Sequence, residues 1–351
     1  MATLKDVAEA TNLGLATVSR ALSGNAGVLP ETRKKVEAAA KALGYQPNAL
    51  ARGLRQSSSK AVGLVIPDLE NEFYTSGAAV IQEVLANAGY RLILCCSNND
   101  PTIDALLLDS LVERRVEAIA HVPSSAIGSD VIRSRNPSLP VVEYARRSNS
   151  EHVDSIVGDE ALGSEKLIEY LVSLGHRRIA MIAGPRGQST TTARLAGFES
   201  AVRKAGLDAD QCPVLHGPYD PDWSEDATRE LLLQDPQITA IFASSSRTVL
   251  GAFKALSGFG LHVPSDISLV GFLNPPWYEV ALAPVTTYEL PLKDMGAMAA
   301  DLLLKRIAEN EHPHAEWAAK TIRFEGRLIV RESATAPRVG SLELAEMPRA
   351  S

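Results

Sequence analysis

The chain is poor in cysteine, with three among its 351 residues. Two of them, Cys95 and Cys96, are adjacent within an apolar run, and Cys212 stands alone. This spacing provides neither a disulfide framework nor the paired C-x-x-C of a metal site. We therefore expect small side chains in the core or near a pocket of a protein from a reducing compartment.

Long apolar runs are also missing. No stretch reaches the roughly 18 consecutive apolar residues that a membrane-spanning helix requires. The N-terminal sequence MATLKDVAEA lacks the basic segment and the apolar segment of a secretory signal. These two absences predict a cytoplasmic protein that has no membrane partner.

Signatures of common catalytic sites are absent as well. The chain contains no GxxxxGK phosphate loop, no GxSxG nucleophile elbow, no HExxH zinc motif, and no GxGxxG after its first predicted strand. Its seven histidines are scattered, and the cluster His312-Pro313-His314 lies in a polar loop that we expect to be solvated. The sequence thus predicts no enzyme activity, no metal site and no cofactor.

Charge is unevenly distributed along the chain. The net charge is −7, yet residues 1–60 hold nine Lys and Arg against four Asp and Glu, so this segment is near +5 and the remainder near −12. A basic module attracts the phosphate backbone, whereas an acidic body is repelled by it. The distribution favours a small DNA-binding unit on a larger domain that stays away from DNA.

The first 22 residues carry the pattern of two short amphipathic helices. Apolar residues recur at helical spacing over residues 4–8 and again over residues 18–22. Thr3, three residues before Asp6, has the capping-box spacing at the start of the first helix. A short turn that ends at Gly14 joins the two. Helices joined in this way form a helix-turn-helix, whose second helix can enter the major groove of DNA.

On the face opposite its apolar side, the second helix exposes side chains that can hydrogen-bond to bases or phosphates or contact a thymine methyl group. A plain helical hairpin that packs on the rest of the chain is the alternative. A third helical pattern over 30–43, a short fourth over 47–55 and a Ser-rich linker at 56–59 disfavour it. We expect DNA contacts from Thr3, Leu15, Ala16, Thr17, Ser19 and Arg20.

From residue 61 onward, short runs rich in Val, Ile and Leu alternate with helical patterns. One set of runs extends from residue 62 to 144, and a second from 155 to 270. This alternation predicts parallel, helix-covered sheets, and two sets predict two doubly wound lobes. In open α/β sheets ligands bind beyond the carboxyl ends of the strands, so the residues that follow each run are the candidate site residues.

Several blocks of the sequence resemble one family. TLKDVAEATNLGLATVSRALSGN, followed by GYQPNALARGLR, resembles the headpiece and hinge of the LacI/GalR family of bacterial transcription regulators. AVGLVIPDLENEFY, LGHRRIAMIAGP, ARLAGFESA, VPSDISLVGF and PVTTYELPLKDMG resemble later blocks of that family, in the same order. The resemblance covers residues 3 to about 333. It implies an α/β protein with a helix-turn-helix headpiece and a two-lobed, periplasmic-binding-protein-like core of two parallel sheets.

The resemblance also implies how the chain is divided. We expect a DNA-binding headpiece at 1–46, a hinge helix and linker at 47–60, an effector-binding and dimerisation core at 61–335, and a tail at 336–351. Within the core, lobe 1 is expected at about 61–158 and 290–320, and lobe 2 at about 159–289 and 321–335. The tail lacks the heptads of a coiled coil that would form tetramers, so we expect a homodimer.

The hinge is implied to form paired helices only on DNA, where a homodimer reads the two halves of a palindromic operator. Leu54 is implied to insert into the minor groove and bend the duplex. Packing of Leu54 against the core is the alternative. The expected hinge contacts to DNA are Asn48, Ala51, Arg52 and Leu54.

Eight residues are expected to contact an effector between the lobes. The resemblance places Arg194 and Tyr219 where they reach the ligand from lobe 2. A structural Arg194 and a core-packed Tyr219 are the alternatives, and Phe73 either stacks on a ligand ring or packs at the lobe interface. The full set is Phe73, Tyr74, Arg146, Arg194, Tyr219, Ser245, Leu273 and Asn274.

The chain departs from family members that bind neutral sugars at positions where they place carboxylates or amides. It has Leu273 where they have Asp, 145–146 is Ala-Arg where they often have Asp-Arg, and 245–246 is Ser-Ser where they have Asn-Asp. Carboxylates accept well from paired sugar hydroxyls, so a neutral sugar is disfavoured. Arg146 and Arg194 have no evident acidic partner, which favours an anionic effector such as a sugar acid or a phosphorylated sugar.

These patterns predict a ligand-responsive DNA-binding transcription regulator that acts as a repressor. A metabolite between the lobes is expected to change the spacing of the paired hinges and so the affinity for DNA. The alternatives are a stand-alone binding protein for uptake and a regulator that responds to a neutral sugar.

Overall fold

The computed structural model describes residues 2–22, 27–45, 59–310 and 318–342. The chain divides into two compact units, Met1–Ser59 and Lys60–Ser351, which we call the headpiece and the core. The hinge helix predicted over 48–55 and the cluster at 312–314 lie outside the described residues.

Three helices form the described part of the headpiece: α1 (Leu4–Thr11), α2 (Leu15–Leu22) and α3 (Pro30–Ala42). The capping box predicted for α1 is present, because the Asp6 amide donates to Thr3 Oγ1 (3.3 Å) and the Thr3 amide donates to Asp6 Oδ2 (2.7 Å). The helix ends at Asn12, which has a left-handed φ of 52°. Asn tolerates this conformation, and it turns the chain toward α2.

The headpiece core contains one fully buried valine from each helix, Val7, Val18 and Val36. Each such side chain contributes on the order of 1.5–3 kcal/mol by its burial. Leu13, in the turn between α1 and α2, packs against this cluster. The predicted helix-turn-helix is confirmed.

Lobe 1 of the core is a six-stranded, wholly parallel sheet covered by helices. Its strands are β1 (Ala61–Ile66), β2 (Arg91–Cys96), β3 (Ala118–His121), β4 (Val141–Tyr144), β5 (Asp154–Gly158) and β11 (Thr321–Phe324). Its helices are α4 (Glu72–Asn87), α5 (Pro101–Glu113), α6 (Asp130–Arg135) and α12 (Leu292–Asn310). The strand order is β11–β5–β4–β3–β1–β2. Asn71 and Asp100 begin α4 and α5 by accepting hydrogen bonds from first-turn amides.

Lobe 2 repeats this plan. Its strands are β6 (Ile179–Ala183), β7 (Val214–His216), β8 (Ala240–Ala243), β9 (Ser268–Phe272), β10 (Thr286–Glu289) and β12 (Arg327–Ile329). Its helices are α7 (Glu160–Ser173), α8 (Ser189–Lys204), α9 (Pro221–Gln234), α10 (Ser246–Gly258) and α11 (Trp277–Val280). The strand order is β12–β10–β9–β8–β6–β7, with β12 antiparallel and the rest parallel. The central strands β6, β8 and β9 are buried throughout, as the apolar runs predict.

In the described part of the core, the chain passes between the lobes three times: between β5 and α7, between β10 and α12, and between β11 and β12. The third crossing corrects the predicted boundary, which assigns 321–335 to lobe 2. β11 instead pairs in parallel with β5, from Thr321 opposite Ser155 to Phe324 opposite Gly158. It does so because β5 offers an unpaired edge in lobe 1, and only β12 onward belongs to lobe 2.

The segment after residue 335 is packed on lobe 2 as far as Leu342. Nη1 of Arg338 donates to the carbonyls of Ile238 (2.9 Å) and Asp266 (2.8 Å). The Leu342 side chain is 9% exposed in an apolar cluster, and its amide donates to the Pro236 carbonyl (2.9 Å). The predicted tail boundary at 336 is therefore too early, because one leucine in a polar segment carries no detectable periodicity.

The three cysteines differ in burial. Cys212 is buried, whereas Cys95 and Cys96 are only partly buried because β2 is an edge strand. Burial raises the pKa of the Cys95 and Cys212 thiols. The core placement predicted from the sequence therefore fits Cys212 better than the adjacent pair.

Within the described ranges, no helix is both long enough and apolar enough to cross a membrane.

Candidate functional site

The outward face of α2 carries the residues predicted to read DNA. The helix buries Val18 and Ala21 on its other face, so the predicted contacts point away from the headpiece core. Leu15, Ala16 and Arg20 are exposed, and Thr17 and Ser19 are partly exposed.

Arg20 and Thr3 differ in how their polar groups are used. Arg20 Nε donates to the Ala16 carbonyl (3.2 Å), which orients the guanidinium at the last turn of α2. The Thr3 hydroxyl donates to Asp6 Oδ2 (2.9 Å), and the backbone and side-chain hydrogen bonds of Thr3 lower the pKa of Asp6. The Thr3 hydroxyl is therefore used to cap the start of α1. The expected hinge contacts Asn48, Ala51, Arg52 and Leu54 lie outside the described residues.

Segments that follow strands of both lobes meet in a cleft within the core. Gln188 Nε2, ahead of α8 in lobe 2, donates to Oδ1 of Asn99, which follows β2 in lobe 1 (3.3 Å). The amide of Arg147, after β4, donates to Ser189 Oγ (3.0 Å). The strand-end rule therefore predicts the location of the cleft correctly.

Besides Asn99 (φ 58°), two cleft residues have a backbone conformation that non-glycine residues rarely adopt. Ala145 has a φ of 63° just after β4, and Leu273 has a φ of 70° just after β9. Each conformation costs on the order of 1–3 kcal/mol and tends to occur at functional sites. At Ala145 the strained turn places the next residue, Arg146, in the cleft.

Arg194 lies in the cleft but is not an unpaired cation. It is 2% exposed, and Nε donates to Glu160 Oε2 at 2.6 Å. Nη1 donates to the Ser244 carbonyl, and the guanidinium carbon lies 4.1 Å from the Phe272 ring centroid. The prediction that Arg194 lacks an acidic partner is wrong, because the fold brings in Glu160 from 34 residues earlier in the chain.

Glu160 is a site residue that the sequence analysis missed. It is the first residue of α7 and directly follows β5 and Asp159, where the strand-end rule could have found it. Burial raises the pKa of Glu160, and the neighbouring Arg194 partly offsets this effect. Its Oε1 is buried and has no hydrogen-bond partner among the described residues. A ligand that donates a hydrogen bond would satisfy this atom.

Arg146 is the buried cation that lacks a carboxylate partner among the described residues. It is 1% exposed, and Nη1 donates to Asn99 Oδ1 (2.8 Å). Within the described part of the chain, Nε and Nη2 are buried without a hydrogen-bond partner. The guanidinium carbon lies 5.3 Å from the Tyr74 ring centroid. Of the two predicted anion-binding arginines, the structure leaves this one unbalanced.

Aromatic side chains form the apolar part of the cleft. Phe73 and Tyr74 are buried and meet edge to face with ring centroids 4.9 Å apart. Burial raises the pKa of Tyr74 to about 12, so the phenol remains neutral. Tyr219 donates to or accepts from Thr191 Oγ1 (3.0 Å) and lies against Gly184, where a side chain would overlap its ring.

The other predicted effector contacts use their polar groups within the protein. The Ser245 hydroxyl caps α10 in a capping box with Thr248. Asn274 donates to Glu289 Oε1 (2.9 Å) and accepts from Arg331 Nη2 (2.9 Å). Leu273 and Asn274 line a neighbouring cavity of about 650 Å³ between the lobes. The side chains of Ser245 and Asn274 therefore form hydrogen bonds within the protein and stabilise the cleft walls.

Lobe 1 also contains a Ser–His–Asp series. Ser129 Oγ lies 2.8 Å from His121 Nδ1, and His121 Nε2 lies 3.0 Å from Asp104 Oδ1. Each of the three residues is at most 4% exposed, so no substrate can reach the serine. The series is a closed structural network. In the part of the chain that the structure describes, no group of three or more His, Cys, Asp or Glu is arranged to hold a metal.

Two family models match the chain. Residues 3–48 match the bacterial regulatory proteins of the lacI family. Residues 59–324 match the periplasmic binding proteins and sugar binding domain of the LacI family.

Similar proteins extend over nearly the whole chain. Catabolite control protein A of Priestia megaterium is 31% identical over 304 residues, 86% of this chain and 92% of that protein. The HTH-type transcriptional repressor PurR of Glaesserella parasuis is 31% identical over 334 residues, 95% of this chain and 98% of that protein. The solved complex of the transcriptional regulator CelR with cellobiose is similar with a TM-score of 0.71 at 29% identity, covering 95% of this chain and 100% of that one. The chain therefore belongs to the LacI family and is, at that level, a ligand-responsive DNA-binding transcription repressor.

Proposed function

We propose that the protein binds a roughly palindromic operator as a homodimer and that an anionic metabolite in the interlobe cleft changes its affinity for DNA. Arg146 is the observation that supports the anionic metabolite. It is 1% exposed, and two of its nitrogens have no partner among the described residues. A buried, unbalanced guanidinium is costly, so a ligand oxyanion that pairs with it lowers the free energy of the closed core. A sugar acid or a phosphorylated sugar supplies such a group.

In this proposal α2 enters the major groove and the hinge contacts the minor groove. Arg20 bonds guanine edges, and the apolar side chains at 15 and 16 contact thymine methyl groups. The remaining contacts go to phosphates and sugars, and they position the headpiece without selecting sequence. The proposed DNA contacts are Thr3, Leu15, Ala16, Thr17, Ser19, Arg20, Asn48, Ala51, Arg52 and Leu54.

Polar links across the cleft give the ligand a way to act on the whole core. They join the Arg147 amide to Ser189 Oγ (3.0 Å), Gln188 Nε2 to Asn99 Oδ1 (3.3 Å), and Arg247 Nη1 to Glu70 Oε2 (3.5 Å). A ligand that bonds Arg146 in lobe 1 and Glu160 in lobe 2 adds a further link and favours the closed arrangement. We infer that the change in closure reaches the hinges through residue 60, where the core begins, and alters their spacing in the dimer.

A neutral sugar is the second candidate effector. The chain has Leu273 and Ala145 where family members that bind neutral sugars have Asp. The Glu160 carboxylate nevertheless provides an acceptor for sugar hydroxyls. CelR, one of the similar structures, is in complex with cellobiose. Arg146 favours the anionic candidate, because a neutral sugar leaves its charge unbalanced.

We further propose that the chain acts by binding and not by catalysis. The enclosed Ser129 has no access to a substrate, and the relatives named above are regulators. The basic headpiece distinguishes the chain from a stand-alone uptake protein, since such a protein has no use for a helix-turn-helix.

Selection of genomic DNA fragments by the full-length protein tests this function. We expect enrichment of a palindromic sequence, and a change in apparent affinity when a mixture of acidic metabolites is added. Arg146→Gln should select the same sequence and lose the response. Failure to enrich any sequence would contradict the DNA-binding part. An equal response of Arg146→Gln would contradict the role of Arg146.

A further inference from the structure

The buried cleft atoms without a protein partner indicate what a ligand must supply. In lobe 1, Arg146 offers two donors, Nε and Nη2. In lobe 2, Glu160 Oε1 and Gln188 Oε1 are acceptors and Arg194 Nη2 is a donor, and these three atoms too have no partner among the described residues. A ligand that satisfies both sides must accept hydrogen bonds from Arg146 at one end. At the other end it must donate to Glu160 or Gln188 and accept from Arg194, which hydroxyl groups can do.

The two donors of Arg146 form one edge of the guanidinium. Nη1, on the other side, is already held by Asn99 Oδ1 at 2.8 Å, so the group is fixed in orientation before a ligand arrives. The Nε–H and the adjacent Nη2–H project in parallel. Two parallel N–H bonds match the two oxygens of a planar carboxylate.

The charge of the cleft distinguishes a carboxylate from a phosphate. Arg194 and Glu160 form a pair at 2.6 Å, which leaves the single positive charge of Arg146 to be balanced. A carboxylate supplies one negative charge and neutralises the site. A phosphate monoester carries about −1.5 to −2 charges at neutral pH, so it would add excess negative charge beside Glu160.

Resting on the function proposed above, we propose that the effector is a hydroxylated monocarboxylic acid, of the aldonic or uronic acid type. Its carboxylate pairs side-on with Nε and Nη2 of Arg146, and one of its hydroxyls donates to Glu160 Oε1. Because these residues belong to different lobes, a compound that carries only one of the two groups binds weakly.

Calorimetric titration and thermal melting of the full-length protein test this assignment at constant ionic strength. The probes are gluconate, galacturonate, glucuronate and glycolate, against acetate, glucose and glucose 6-phosphate. The matched variants are Arg146→Gln and Arg147→Gln. Both remove one arginine charge, but the Arg147 side chain is exposed, and the link from residue 147 to Ser189 uses the backbone amide, which the substitution keeps.

We expect at least one hydroxy acid to raise the melting temperature of the wild type and of Arg147→Gln, and to bind Arg146→Gln about tenfold or more weakly. If Arg146→Gln does not fold, Arg146→Lys gives the same test, since lysine keeps the charge but cannot make two parallel bonds. Tighter binding of glucose or glucose 6-phosphate than of every acid would overturn the proposal. So would the absence of any acid effect that depends on residue 146.

DNA selection on the same preparations separates this inference from the proposed function. A protein that selects an operator and responds to a sugar phosphate overturns only the carboxylate assignment. A protein that selects no sequence overturns the proposed function, whatever it binds in the cleft.

Discussion

The two faces of the cleft each bury one arginine, yet the two side chains have different surroundings. Arg194, on the lobe 2 face, is 2% exposed and lies 2.6 Å from Glu160. Arg146, on the lobe 1 face, is 1% exposed, and its described hydrogen-bond partner is the neutral Asn99. Equal burial therefore does not imply an equal role. The counter-charge distinguishes a structural ion pair from a cation that a ligand can use.

Breaking the ion pair of Arg194 with Glu160 should give the largest of the expected effects, a loss of stability. Arg194→Met leaves Glu160 buried without its cation, so we expect a loss of about 3–5 kcal/mol in the free energy of unfolding. Denaturant titration of the full chain, followed by tryptophan fluorescence, measures it. The double variant Arg194→Met with Glu160→Gln should recover part of the loss. A single variant that loses less than about 1 kcal/mol would show that the pair is not structural.

A third arginine, exposed on α2, extends the comparison to DNA. Arg20→Ala should weaken operator binding by about 1–3 kcal/mol, because the proposed bidentate contact of Arg20 to guanine would be lost. Fluorescence anisotropy at fixed salt measures it, with non-operator DNA as the control. Melting of the core should not change. Equal weakening on both DNAs would place Arg20 on the phosphates and not on the bases.

Replacing Arg146 in lobe 1 should change the stability of the protein in the opposite direction to replacing Arg194 in lobe 2. Arg146→Met removes an unbalanced buried charge, so the ligand-free protein should become more stable by about 1 kcal/mol. Differential scanning calorimetry without added metabolites measures the shift, and Arg147→Met is the control. A loss of stability would mean that the protein itself balances the charge of Arg146. The contrast between Arg146 and the paired Arg194 would then be wrong.

His176, buried in lobe 2, shows a third way to bury an ionisable group, which is to keep it neutral. Its Nε2 donates to the Thr335 carbonyl (2.8 Å) and its Nδ1 lies 2.8 Å from Thr239 Oγ1. Burial lowers the pKa of His176 below the usual 6.5. The unfolded chain then binds a proton more readily than the folded chain. Stability should fall as pH decreases below 6.5 toward the lowered value.

Melting between about pH 7.5 and pH 5.5 measures this small dependence. His176→Gln keeps an amide that can donate and accept but does not titrate, so the variant should lose part of the decline. An identical decline in both proteins would assign it to other groups.

The sequence was sufficient to predict where the cleft lies but not how its charges are balanced. Arg146 follows β4, and the strand-end rule finds it directly. Glu160 follows β5 equally closely, but an acidic residue there is also typical of a helix N-terminus, where it stabilises the dipole. Its contact with Arg194 joins residues 34 positions apart. No periodicity or local spacing encodes that pairing.

The lobe boundary illustrates the same limit for the fold. Alternating apolar runs predict both sheets, because the central strands bury both faces. Between 321 and 329, however, two short strands follow one another with only Glu325 and Gly326 between them. Nothing local indicates that one pairs with β5 and the other with β10. Edge strands with few buried residues carry too weak a pattern to reveal their sheet.

The order of the three crossings has a consequence for protein synthesis. Lobe 1 requires α12 and β11, which come after every strand of lobe 2 except β12. A ribosome therefore makes the headpiece first and completes lobe 1 at Phe324. It then adds β12 and the segment to Leu342, which complete lobe 2. The interlobe cleft of a nascent chain is therefore incomplete until nearly the whole chain has been translated. A product truncated before β11 would carry the helix-turn-helix without a means of sensing.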